Sequence, residues 1–331
     1  MTVALLFPGQ GAQSEGLLHH LPEHTEVTRT IKEASDVLGV DIAALDNAEA
    51  LHSTVAVQPA LLIAGVATAR ALMAEHVHPA AVAGMSIGAF GAAVACGTLS
   101  FADALPLVHL RGELMQTAFP SGYGLAAIEG LDEVHVEGIV ERIRTAACPV
   151  YISNINAPRQ IVVAGRDAAL ATMIAQARQQ GAHRAERLAV SVPSHCPLMQ
   201  PVSDRLEQAM VKLPLRPPSM PYVSNRGGRT LYDAEAIRQD LATSVAHPVR
   251  WYDALEVMRE LGATLFIEMA PGHVSTHLVA ALFPSMRAVS IADQGLHYAT
   301  VLAARENPSD GEDVIKLQKL QGQVLQSYIR R

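Results

Sequence analysis

The chain has 331 residues, half of them hydrophobic and 17% charged, enough for one large core or for a core carrying a smaller inserted unit, and not the composition of a disordered or coiled-coil chain. Lysine and arginine total 25 against 32 aspartate and glutamate, a net charge of −7 with no long run of either sign. That balance argues against a nucleic-acid stripe or a polybasic membrane anchor, and an anionic ligand would have to be met by local arginines.

The N-terminal stretch MTVALLFPGQGAQ lacks a basic leader, and its apolar run is too short for a signal peptide or a membrane span, so Val3 to Phe7 reads as a buried strand. Gly9, Gly11 and Gly16 resemble a dinucleotide fingerprint only loosely, because Ser14 stands where the third glycine belongs, and nicotinamide binding is not expected. Ala56 to Ala74 is long and apolar, but Gln58, Pro59 and Arg70 interrupt it, which fits a core helix better than a bilayer span. A soluble cytoplasmic protein is expected. Cys96, Cys148 and Cys196 lie far apart with no Cys-x-x-Cys, which argues for buried thiols in a reducing compartment.

Next come an apolar run, Ala80 to Ala83, the turn Gly84-Met85-Ser86-Ile87-Gly88, and a small-residue helix, Ala89 to Cys96. Strand, sharp turn and helix are the setting of a nucleophile elbow, in which the serine oxygen sits at a strand end and the helix N-terminus offers amides to a developing negative charge. A strand-to-helix loop with a capping serine is the plainer alternative. Arg111 closes a largely apolar helical stretch, Ala104 to Leu110, and Glu113 is too near in sequence to share its face. It is either a solvated surface arginine or a cation that receives a carboxylate from the protein or a ligand.

From Tyr123 to Val192 the texture changes. Strand (Gly124 to Glu129), helix (Glu133 to Thr145), strand (Val150 to Asn154), strand (Gln160 to Ala164), helix (Ala168 to Gln180) and strand (Arg187 to Val192) give the order βαββαβ of a ferredoxin-like unit. The organisation expected is an α/β core with a parallel sheet from residues 1–122 and 194–306, an inserted subdomain at 123–193 forming one wall of a cleft, and a tail at 307–331. Tyr222 to Ser224 and Thr264 to Glu268 supply further core strands, and Val314 to Ile329 is amphipathic enough for a surface helix.

A serine nucleophile needs a base. Of 14 histidines, His195 in VPSHCPLM lies where the inserted unit returns the chain to the core, and domain junctions are where clefts form; an ordinary loop histidine is the alternative. His76 and His78, or His273 and His277, lack a third ligand, so no metal is expected.

Taken together, LFPGQGAQ (6–13), QPALL (58–62), GMSIG (84–88), LRGELMQ (110–116), NAPRQIVVAG (156–165), VPSHCPLM (192–199), HPVRW (247–251) and EMAPGHV (268–274) resemble the malonyl-CoA:acyl-carrier-protein transacylase family, in the family's order, to about residue 280. The resemblance implies an α/β-hydrolase-like core, an acyl-serine at Ser86, His195 as base and then acid, and an oxyanion hole from Gln10 and the Ile87 amide. It further implies that Arg111 holds a malonyl carboxylate, with Gln58, Met85, Asn156 and Ser194 lining the substrate site. The histidine would be oriented by a backbone carbonyl, here that of Ser244, rather than by an acid. Malonyl-CoA would be the donor, a prosthetic-group thiol on an acyl-carrier protein the acceptor, and no metal, bound cofactor, nucleic acid or membrane would be involved.

Met85 and Ala89 stand where the resembled fatty-acid enzymes usually carry His and Glu, and the stretches around them look most like the epsilon subunit of malonate decarboxylase. For that system the implied acceptor is a dephospho-CoA-derived arm on the delta subunit. Arg178, Arg184 and Arg187 form a candidate basic patch for an acidic carrier. A serine hydrolase and a catalytically idle docking subunit are the competing readings.

Overall fold

Short apolar runs that end in glycine-rich turns can bury both faces only inside a parallel sheet covered by helices. The computed structural model describes residues 2–119 and 121–306 and has that arrangement. The chain begins with β1 (Thr2–Phe7), then α1 (Thr25–Leu38), α2 (Thr54–Ala74), β2 (Pro79–Gly84), α3 (Gly88–Ala95) and α4 (Phe101–Ala118). Ser53 and Ser100 cap α2 and α4, accepting from the backbone amides of Val55 and Asp103. The apolarity of α2 serves the core, in which most of the helix is buried.

A second unit follows: β3 (Tyr123–Glu129), α5 (Glu133–Ile143), β4 (Val150–Ala157), β5 (Gln160–Arg166), α6 (Asp167–Gln179) and β6 (Arg184–Arg187). The chain returns through α7 (Gln200–Met210), β7 (Tyr222–Val223), β8 (Thr230–Leu231), α8 (Ala234–Thr243), α9 (Trp251–Glu260) and β9 (Ala263–Glu268). It ends in α10 (Val274–Leu282), β10 (Arg287–Ser290), α11 (Ile291–Gln294) and α12 (Leu296–Glu306). The tail helix expected at Val314 to Ile329 lies outside the described residues.

The main sheet has the order β10-β9-β1-β2-β7-β8, parallel throughout except for the antiparallel edge strand β8. The second sheet, β4-β5-β3-β6, is fully antiparallel, with its own core of Ile128, Val136, Ile139, Leu170 and Met173. Two backbone hydrogen bonds tie it to the main unit: Val249 N donates to Ser153 O and Ile155 N to Val249 O, each at 2.8 Å.

The last strand of the inserted unit ends at Arg187, where the sequence suggested that it begins. The cause is the Arg187 side chain, which folds back and donates to the carbonyls of Tyr123, Leu125, Leu188 and Val190 and to Asp167 Oδ1. Leu188 N still donates to Leu125 O, and beyond that bond the guanidinium, not a strand amide, reaches the Tyr123 carbonyl. A Cβ at Gly124 would fall 2.0 Å from this guanidinium, so the close approach needs glycine there.

The arginines of the expected basic patch each have partners within the unit. Arg184 pairs with Glu129 and Glu186, Arg178 donates to the Ala185 carbonyl, and Arg187 is engaged as described. Cys96 and Cys196 are buried, but Cys148 is only half-buried, in a turn beside Thr145. Strands β8 and β10 carry too few alternating apolar residues to be legible alone.

Candidate active site

Strand β2 ends at Gly84 and α3 starts at Gly88, leaving Ser86 in the left-handed region with φ of 55°. A Cβ on Gly84 would lie 2.0 Å from the Gly88 carbonyl, and one on Gly88 would lie 2.3 Å from Phe7 O. Both glycines are therefore fixed by close backbone approach. A non-glycine residue in this conformation costs of order 1–3 kcal/mol and persists only where its surroundings hold it. Here Ser86 N donates to Asn225 Oδ1 at 2.8 Å, while Asn225 Nδ2 donates to Gly84 O at 2.7 Å.

His195, buried and likewise left-handed at φ of 64°, reaches the same serine from the junction segment. Its Nε2 lies 2.7 Å from Ser86 Oγ and its Nδ1 lies 2.8 Å from the Ser244 carbonyl oxygen. Its backbone N donates to Val245 O at 2.7 Å. A carbonyl can only accept, so Nδ1 carries the proton and Nε2 is left to accept from the serine hydroxyl. Burial, and then the charge of Arg111, push the imidazole down to about 4. At neutral pH it is an uncharged base.

Arg111 on α4 is no surface residue, being only 1% exposed. Its Nη1 donates to Gln58 Oε1 at 2.9 Å and its Nη2 to Ser86 Oγ at 3.2 Å, while Nε is buried with no partner. Among the described residues no carboxylate pairs with it. Burial lowers its pKa to about 10, which leaves it charged near neutrality. Gln58, fully buried on α2, also donates from Nε2 to Met115 Sδ at 3.2 Å.

The structure places the remaining candidates as follows. Gln10, on the loop after β1, is half-buried and donates from Nε2 to Thr54 Oγ1 at 3.4 Å. Ile87 is the N-cap of α3, which puts its amide at a helix N-terminus beside the serine. Half-buried Met85 packs against Gly9, where an added Cβ would meet its Cγ at 3.4 Å. Asn156 projects from β4 with a buried, unpartnered Oδ1, and the Ser194 carbonyl accepts from Ser153 Oγ at 2.9 Å. Ser194 thus steadies the junction through its backbone. Among the described residues no group of three or more His, Cys, Asp or Glu is placed to hold a metal.

Sequence reasoning missed Asn225. It sits in Ser-Asn-Arg-Gly-Gly, which reads as a plain turn. A signal was available: it follows a strand run, and ligands of open parallel sheets bind outside the carboxyl ends of the strands.

A family profile described as the acyl transferase domain matches residues 4–310. A malonyl CoA-acyl carrier protein transacylase of Haemophilus influenzae is 38% identical over 299 residues, covering 88% of this chain and 95% of its own length. The chain belongs to the malonyl-CoA:acyl-carrier-protein transacylase family of acyl transferases. The structural likeness agrees: an acyl-carrier-protein S-malonyltransferase from Burkholderia pseudomallei superposes with a TM-score of 0.86 at 37% identity, covering 91% of this chain and 99% of that one. A malonyl-transacylase in complex with a type II PKS acyl-carrier protein gives 0.86 at 36% identity, covering 93% and 100%.

For an acyltransferase the geometry is coherent. The serine hydroxyl can pass its proton to His195 Nε2 as it attacks a carbonyl, and the Ile87 amide at the helix N-terminus next to Ser86 is a donor of the kind an oxyanion needs.

Proposed function

We propose that the chain moves a malonyl group from malonyl-CoA, through an ester on Ser86, to the prosthetic-group thiol of an acyl-carrier protein. The observation that carries this is Arg111: a wholly buried guanidinium, one hydrogen bond from the serine oxygen, with no carboxylate of the protein paired to it among the described residues. In the free protein only neutral oxygens answer this cation, and a substrate carboxylate would match the guanidinium fork in two hydrogen bonds.

The steps follow from the hydrogen bonds. Ser86 Oγ gives its proton to His195 Nε2 and attacks the thioester carbonyl carbon, whose oxygen becomes the oxyanion met by the Ile87 amide and Gln10. The intermediate collapses by breaking the carbon–sulfur bond, and His195 returns the proton to the departing thiolate. A carrier thiol, deprotonated by the same histidine, then attacks the malonyl-serine and releases Ser86. The Ser244 carbonyl holds the imidazolium that forms transiently, in place of an acidic third residue.

The setting we propose is malonate decarboxylation, with the dephospho-CoA-derived arm of the delta carrier subunit as acceptor; Met85 and Ala89 in the elbow support it. Fatty-acid or polyketide synthesis is the second reading, favoured by the names of the relatives and by the neighbour bound to a type II PKS acyl-carrier protein. Incubation with malonyl-CoA and intact-mass measurement tests the chemistry: a malonyl adduct absent from Ser86→Ala is expected, and no adduct on the wild-type chain sinks the proposal. Transfer from the malonyl-enzyme to the two carriers side by side tests the setting, and faster loading of a fatty-acid carrier would overturn the decarboxylase assignment.

A further inference from the structure

The serine of this site is held from behind by a buried chain of hydrogen bonds that the mechanism above leaves unused. Asn225 is 2% exposed and spans the elbow, its Oδ1 accepting from Ser86 N and its Nδ2 donating to Gly84 O. Its own placement is fixed by Asp240 on α8, which is 4% exposed. Asp240 Oδ2 accepts from Asn225 N at 3.2 Å and from Tyr222 Oη at 2.8 Å, and Oδ1 accepts from Arg226 N at 3.1 Å. This buried carboxylate thus anchors the backbone of Asn225 and of its neighbour Arg226. One turn further along the same chain, Ser244 and Val245 offer the carbonyls that hold the ring and backbone of His195. The end of α8 therefore braces both partners of the proton transfer.

We propose that Asn225, locked by Asp240, is a positioning residue for Ser86: it stabilises the left-handed elbow so that Oγ stays within reach of His195 Nε2. This rests on Ser86 being the acylated residue. The acid that a hydrolase triad places behind its histidine stands here behind the serine, two hydrogen bonds away. A displacement of the nucleophile by about 1 Å can cost of order a hundredfold in rate, and because Arg111 and Gln58 make no hydrogen bond to Asn225, substrate binding is left alone.

The test is single-turnover acylation of the whole chain by malonyl-CoA, followed by quench and intact mass, for wild type, Ser86→Ala, Asn225→Ala, Asp240→Asn and the Asn225→Ala/Asp240→Asn double variant, each corrected for folded fraction by circular dichroism. Asn225→Ala should lower the acylation rate constant about tenfold or more while the malonyl-CoA concentration giving half-maximal rate moves less than about twofold. Its pH profile should keep the wild-type inflection, since the histidine is untouched. Asp240→Asn should fall in the same direction by less, and the double variant should be no slower than Asn225→Ala, because the two residues act as one unit. Wild-type acylation per folded molecule in Asn225→Ala, a loss confined to substrate affinity, or multiplicative losses in the double variant would overturn the proposal. If Asn225→Ala does not fold, folded Asp240→Asn acylating at the wild-type rate does the same. Failure of the underlying reading looks different, because the wild type itself then carries no adduct.

Discussion

Arg111 and His195 approach one atom from two sides: Nη2 of the arginine is 3.2 Å and Nε2 of the histidine 2.7 Å from Ser86 Oγ. Burial first, and then this fixed positive charge, keep the imidazole unprotonated. On the proposed function a carboxylate arriving at the arginine would weaken the second effect, coupling substrate recognition to basicity through a shared oxygen.

Arg111→Ala is expected to remove malonyl selectivity. Loss of a buried charged pair costs about 2–5 kcal/mol, roughly 30-fold to several thousand-fold in kcat/KM for malonyl-CoA. Competition between malonyl-CoA and acetyl-CoA should shift toward acetyl in the variant. Unchanged selectivity would remove the arginine from the acyl site.

The pH dependence carries a sign. The free-enzyme imidazole titrates near 4, held down first by burial and second by Arg111, so acylation kcat/KM should stay flat from pH 8 to about 5. In Arg111→Ala the charge is gone and the pKa moves partway toward 6.5, since burial persists. That variant should therefore begin to lose rate at a higher pH than the wild type as the solution is acidified. Parallel profiles would show that the arginine charge does not reach the histidine.

Gly84→Ala should fail structurally rather than chemically. The added methyl meets the Gly88 carbonyl at 2.0 Å, where only backbone can yield. Overpacking of this kind costs about 3 kcal/mol or more, and thermal unfolding should show a lowered Tm together with lost acylation. A Tm equal to that of the wild type would mean that the elbow tolerates a side chain.

Arg187→Ala should lower stability by about 1–3 kcal/mol, because it strips donors from two carbonyls of β3 and two just beyond β6. Carrier KM at constant folded fraction should not change, since this guanidinium is already spent within the fold. A raised carrier KM with unaltered Tm would restore Arg187 to a docking role.

Three side chains that the structure brings together were legible in side-chain identity and local turn pattern: Ser86 between glycines after a strand, His195 at a unit junction, Arg111 in an apolar helix. Ser244 contributes a carbonyl that every residue has, so only the family resemblance pointed to it. Asn225 hid in a turn-like string, because its role depends on β7 lying beside β2, a pairing of strands some 140 residues apart. The βαββαβ order was visible in the alternation of short runs, whereas its last strand was misplaced because an arginine that reads as the start of a strand is the group that terminates it.

The unpaired guanidinium also bears on how tightly the protein holds together. A buried cation without a counterion costs several kcal/mol of desolvation, and in the resting chain Gln58 and Ser86 answer it only with neutral oxygens. On the proposed reaction, acylation would supply the missing anion covalently. A malonylated protein should then melt above the free one and exchange its α4 amides more slowly, so that the step which loads the enzyme would also tighten it.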